Sequence, residues 1–150
     1  MAQKGADIET LKARVARLSG DFRIYFLVDT LEYLRRGGRI GGAAALLGTA
    51  LKMKPILALQ HGRVEPFERV RTKAKAVTRL VDLVRAGLDT KSDGKIYLAM
   101  IHGNVPDQAA ALHAELMEEF QPTETMLTDL TPAIAANVGP GVLAVAFYQD

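Results

Sequence analysis

Apolar positions along this chain change period several times, and each change marks an element. Ile8, Leu11, Val15 and Leu18 recur at three- and four-residue steps behind Asp7. That spacing predicts an amphipathic helix over 7–18, ended by Gly20. The run FRIYFLV, residues 22–28, is rich in aromatic and β-branched side chains and predicts a strand. Asp29, with Glu32 three residues on, has the form of a capping box and opens a short helix over 31–36. The glycines of RRGGRIGG stop that helix, and AAALLGTALKM predicts a second one over 43–53.

Lys54 precedes Pro55, which pushes the backbone toward extended geometry. A strand over 56–60, a two-residue turn at His61-Gly62 and a strand over 63–67 then predict a hairpin. Val77, Leu80, Val81, Val84 and Leu88 form one stripe and predict a helix over 72–87. IYLAMI, 96–101, reads as a buried strand. Pro106 suits a first helical turn, and Ala109, Leu112, Leu116 and Phe120 carry a helix as far as Pro122. Two extended pieces, 125–130 and 142–148, close the chain, joined through a loop around NVGPG. A helix pair between the first strands argues against a wholly parallel sheet. The expected fold is a single two-layer α+β domain with a mostly antiparallel or mixed sheet.

Composition narrows the chemistry. At 150 residues and 49% apolar content the chain holds enough material for one real core. It has no cysteine, which excludes disulfides, thiolate zinc sites and cysteine nucleophiles. The first residues lack the apolar segment and cleavage site of a signal peptide. The uncharged run 130–149 is broken by Pro132, Asn137, Gly139, Pro140 and Gly141, so no membrane-spanning helix is expected there. These readings predict a cytoplasmic protein. The net charge of +2 conceals an asymmetry: residues 1–75 hold 15 of the 19 Lys+Arg and only 7 of the 17 Asp+Glu. A basic face would favour an anionic ligand or an acidic partner; interleaved halves would merely solvate the surface.

Candidate chemistry is sparse. His61, His102 and His113 show no metal-ligand spacing, so no metal is expected. His102 ends a predicted strand beside Gly103 and Asn104, either as a ligand contact or as a satisfied structural residue. Ser19 and Ser92 have no histidine nearby in sequence, and no catalytic constellation is visible. GPGVLA matches the relaxed dinucleotide pattern G-x-G-x-x-A, but nine residues after Gly141 leave no room for the helix, strand and ribose-binding acid it requires. No cofactor is implied. EYLRRGGRIGG is not a P-loop, yet glycine N–H groups, a following helix N-terminus and Arg39 would suit an anion. The same residues also suit a plain helix–turn–helix connection. On the helix that RVRTKAKA starts, Arg71, Lys75 and Arg79 make a basic ridge, but too few aromatics interleave the charges to support nucleic-acid binding.

Taken together, FLVDTLEYLRRGGRIGG, LKMKPILALQHGRVEPFERVRTKAKA, IHGN and NVGPGVLAVAF, in that order, resemble the C-terminal part of the DegV family. These are bacterial fatty-acid-binding proteins, among them the FakB subunits of fatty-acid kinases. The resemblance implies that residues 1–150 form one DegV C-terminal-type domain, without the family's N-terminal domain. It further implies a site for one long-chain fatty acid between two domains, with hydroxyl side chains of the N-terminal domain on the carboxylate. A separate kinase subunit would act on the bound ligand while the binding protein itself does no chemistry.

Carried onto this chain, Arg39 and Arg71 match arginines expected near the headgroup or a docking surface. Asn137, Gly139 and Gly141 match the loop near the carboxylate. Leu46, Leu47, Ala50, Leu51 and Ile56 would meet the acyl tail, with ordinary core packing as the competing role. Family members commonly carry histidine where this chain has Asn137. Asparagine donates a hydrogen bond but bears no charge. The alternative is a protein-interaction or oligomerisation domain that no longer binds lipid, with homodimer formation following from its exposed apolar surface.

Overall fold

A computed structural model describes residues 5–47, 53–89 and 92–150. Helix α1 (Ile8–Asp21) starts where the carboxylate of Asp7 accepts from Thr10 N at 2.9 Å. Gly20 does not end it; the helix runs one residue further, because a helical glycine weakens a turn without breaking it. No residue in the apolar stripe of α1 is fully buried: Ile8 and Val15 are 68% and 65% exposed, while Leu11 and Leu18 are half-buried. Arg14 and Arg17 instead tie the helix to Asp150.

The sheet has six strands: β1 (Arg23–Leu27), β2 (Lys54–Gln60), β3 (Arg63–Val70), β4 (Ile96–His102), β5 (Glu124–Asp129) and β6 (Leu143–Gln149). Their order is β3-β2-β1-β6-β4-β5. Every neighbouring pair is antiparallel except β4–β5, which is parallel and joined by α4 (Pro106–Phe120). The fold is thus α+β with a mixed sheet. Central β6, LAVAFYQ, is buried on both faces along its first five residues, which is why its apolar run is continuous and not alternating. At His61-Gly62 both φ angles are positive, 50° and 75°, as a tight hairpin turn requires. The strand predicted to stop at 67 continues to Val70. Ile56 faces Glu68 while Leu57 faces Pro66, so Phe67 is an extra residue in a bulge, and Pro66 is tolerated beside it on an edge strand.

Each sheet face buries a separate cluster. Helix α3 (Lys73–Gly87) and α4 cover one face, packing Leu80, Val84, Leu112 and Leu116 on Leu27, Ile56, Met100, Leu143 and Phe147. Helix α2 (Glu32–Arg36) and a 3-10 helix (Gly41–Leu46) cover part of the other, burying Leu34, Ala43 and Leu46 on Phe26, Leu57 and Ala144. Two expectations change here. The α-helix expected over 43–53 is a 3-10 helix ending at Leu46, and residues 48–52 lie outside the described part. The capping box at Asp29 does not form. Leu31 is the N-cap residue of α2 without a side-chain cap, Thr30 Oγ1 accepts from Glu32 N at 3.2 Å, and Glu32 turns outward to Arg35 and Arg36. A further short helix, α5 (Pro132–Val138), stands where only a loop was expected; Pro132 opens it and Gly139, at φ 80°, closes it.

Candidate functional site

Four of the five candidate headgroup positions, Arg71, Asn137, Gly139 and Gly141, lie toward one end of the sheet, while Arg39 leads into Gly41, which packs against Val64 in the hairpin half of β3. In antiparallel register, the C-terminal ends of β1 and β3 meet the start of β2 and the end of β4 meets the start of β6, while β5, parallel to β4, ends beside it. Asp29, Lys54, Arg71, Lys73, His102 and the NVGPG loop therefore follow from or sit on that single edge.

The glycine-rich turn is a helix stop of a defined kind. Gly38, at φ 65°, donates to Arg35 O at 3.1 Å, and Arg39 N donates to Leu34 O at 2.9 Å. This nested pair is the Schellman motif, which needs a left-handed residue just past the helix end. The backbone N–H groups of Gly38 and Arg39 are thus spent on carbonyls. The Arg39 guanidinium is exposed and donates to Gly37 O at 3.1 Å.

The second loop packs onto this first one. Asn137 donates from Nδ2 to Ala133 O at 2.8 Å, and its Oδ1 presses against Gly37 where a β-carbon would stand. Gly139 leaves room for the ring of Tyr33, and Gly141, at φ 83°, leaves room for the carboxylate of Asp29. Gly141 N donates to Gly103 O at 2.7 Å, which fastens the loop to the end of β4. Three of the five headgroup candidates, Asn137, Gly139 and Gly141, thus contact α2 or the residues flanking it. Arg71 follows β3 directly and is exposed. The basic ridge is partly spent within the fold, since Arg79 pairs with Glu68 at 2.9 Å.

The tail candidates separate. Leu46 is buried in the cluster beneath α2, and Leu47 next to it is 42% exposed. Ile56 is fully buried on the opposite face, beneath α3. Ala50 and Leu51 lie outside the described residues.

Geometry brings further charged and polar residues to this edge beyond the five headgroup candidates. Asp29 accepts from Lys73 Nζ at 3.3 Å, and Lys54 Nζ stands 3.7 Å away. A charged residue directly after an apolar strand, FRIYFLV-D, was the available signal. His102 is 5% exposed; its Nδ1 lies 3.1 Å from Asp129 Oδ1 without hydrogen-bond geometry. It lines a cleft of about 260 Å³ together with Asn104, Leu130, Gly139 and Pro140. Among the described residues no cluster of three metal-ligating side chains occurs, and no helix is long and apolar enough to cross a membrane.

Comparison with known proteins identifies the family. The family model described as "Uncharacterised protein, DegV family COG1307" matches residues 1–150. A DegV domain-containing protein of Streptomyces coelicolor is 38% identical over 145 residues, covering 96% of this chain and 50% of that protein. Among solved structures, a fatty-acid-binding DegV family protein from Thermus thermophilus superposes with a TM-score of 0.90 at 36% identity, over 99% of this chain and 53% of that one. DegV of Bacillus subtilis, described as a fatty acid binding protein, gives 0.85 at 30% identity, over 99% and 52%. The chain spans about half the length of each of these relatives.

Proposed function

The chain belongs to the DegV family, and from that premise we propose that it is a lipid-binding module supplying one side of a long-chain fatty-acid site. The observation that carries this reading is the seating of the NVGPG loop on α2 and the glycine turn, through Asn137 on Gly37 and Gly139 on Tyr33. Two blocks a hundred residues apart in sequence meet there, and fatty-acid binding is the described property of relatives that match the chain over nearly its whole length.

In this reading Arg39, Arg71, Asn137, Gly139 and Gly141 lie on the headgroup side. The tail runs toward Leu46, Leu47, Ala50 and Leu51, whereas Ile56, fully buried beneath α3 on the other sheet face, takes the competing role of core packing. The chain acts as one domain of the C-terminal DegV type, and the other half of the relatives' length closes the site over it. The module performs no chemistry of its own. It presents the ligand in the cytoplasm to a fatty-acid kinase subunit, and homodimer formation is supported by the outward apolar residues of α1.

Mass spectrometry of an organic extract of the purified protein tests the reading. Palmitate or oleate in the extract, or saturable uptake of either when added, is the expected result. A lipid-free extract with no uptake of added fatty acid removes it.

A further inference from the structure

Around Asp29 the fold sets two ammonium groups on a single carboxylate. Lys73 Nζ lies 3.3 Å and 3.5 Å from its oxygens, and Lys54 Nζ lies 3.7 Å from Oδ1. One negative charge faces two positive ones, so the cluster keeps a positive surplus. The distances exceed the ~2.7–2.9 Å of tight charge-assisted hydrogen bonds, so both ammonium groups retain donors for another partner. The side chains of Lys54, Lys73 and Asp29 are 36%, 30% and 43% exposed, and an arriving anion reaches them without opening the core.

The cluster does not float on the surface. The Asp29 carboxylate occupies the space that the missing side chain of Gly141 leaves, and Gly141 is itself hydrogen-bonded to Gly103. Beside Asp29 and Lys54 opens a cleft of about 170 Å³ whose apolar walls come from Val28, Leu31, Met53 and Pro55. An apolar groove ending at a cationic rim matches a molecule with an oxyanion at one end and a hydrocarbon at the other.

The candidates beside α2 offer less free charge, while Arg71 stands exposed two residues before Lys73. Asn137 is neutral and donates to Ala133 O, and the Arg39 guanidinium donates to Gly37 O. We propose that Lys54 and Lys73, steadied by Asp29 against Gly141, are the charged groups that bind the ligand's oxyanion headgroup, with the first carbons of its chain in the adjoining cleft. The tail part of this assignment rests on the fatty-acid reading above; the anion part stands on the lysines alone.

The test compares the wild-type chain with Lys54→Met, Lys73→Met and the double variant, all checked for unchanged circular dichroism. Oleate and oleyl alcohol, which share a tail and differ in charge, are titrated by calorimetry. Each single substitution is expected to weaken oleate by roughly three- to tenfold, the double more, with oleyl alcohol unaffected. The conservative Lys54→Arg, Lys73→Arg variant should restore most of the oleate affinity. Oleate binding that survives the double methionine substitution overturns the assignment. Where the wild type binds neither lipid, the fatty-acid reading falls and the lysines are judged separately. Butyrate and inorganic phosphate are then titrated while the Lys Nζ and Gly141 amide resonances are followed. Saturable shifts confined to those groups and lost in the double variant uphold an oxyanion site, and the anion that produces them identifies carboxylate or phosphate. Absent or uniformly spread shifts overturn it.

Discussion

Asn137 rests its side-chain carbonyl oxygen on Gly37, in the space a β-carbon would fill. The contact joins the loop that precedes the last strand to the turn that ends α2. Neither residue is in a forced backbone state at this point, since Gly37 has φ −75°. The requirement for glycine is therefore one of space.

Gly37→Ala is expected to destabilise the fold by about 1–2 kcal/mol through overpacking, read as a lower midpoint in chemical denaturation. The cost should shrink when Asn137→Ala is added, because the colliding oxygen is then gone. Additive effects in that double-mutant cycle would count against the contact.

Gly141→Ala combines two penalties, a left-handed φ of 83° and a collision with the Asp29 carboxylate. A loss of about 1–3 kcal/mol is expected, with displacement of the Lys73 resonances in the same variant. Gly20→Ala is the opposite case. Gly20 lies in α1 with open space around its Cα, so alanine should stabilise by about 0.5–1 kcal/mol.

Glu32 carries the acid-limb prediction. Hydrogen bonds from Arg35 first and Arg36 second hold its carboxyl down to about 2, against an ordinary value of 4.5. A depressed folded-state value contributes stability that is fully present above pH 4.5 and is lost as the pH falls through 2. The stability difference between wild type and Glu32→Gln should therefore narrow between pH 5 and pH 2. A difference that stays constant across that window would contradict the sign. The side chains are exposed, so the effect is small and calls for denaturation curves at matched ionic strength.

His102 offers a test of polar satisfaction. Its Nδ1 is buried without a hydrogen bond, so replacing the ring by an apolar side chain removes an uncompensated polar atom. His102→Leu should leave the melting temperature unchanged or raise it. A marked fall would show that the imidazole makes a stabilising bond, most directly to Asp129, and Asp129→Asn would then reproduce it.

Sequence reading recovered the elements wherever one periodicity had one cause. Ala109, Leu112, Leu116 and Phe120 of α4 are buried as spaced, and His61-Gly62 turns the hairpin as its residue types require. It failed where a local motif had two physical outcomes. Asp29 and Glu32 had the spacing of a capping box, but two lysines and two arginines outcompete the backbone for those carboxylates. The stripe of α1 was legible as amphipathic, yet none of it is fully buried within these residues.

By itself, then, the sequence determined the α+β class, the hairpin, the stop after Arg36 and the motif order that marks a DegV domain. Those are matters of local geometry and composition, which neighbours along the chain suffice to specify. Tertiary structure decided that Asn137 meets Gly37, that Asp29 sits on Gly141 between Lys54 and Lys73, and that Leu46 and Ile56 lie on opposite faces of the sheet. Such pairings depend on strand order and register, which place residues a hundred positions apart side by side and which no local periodicity records.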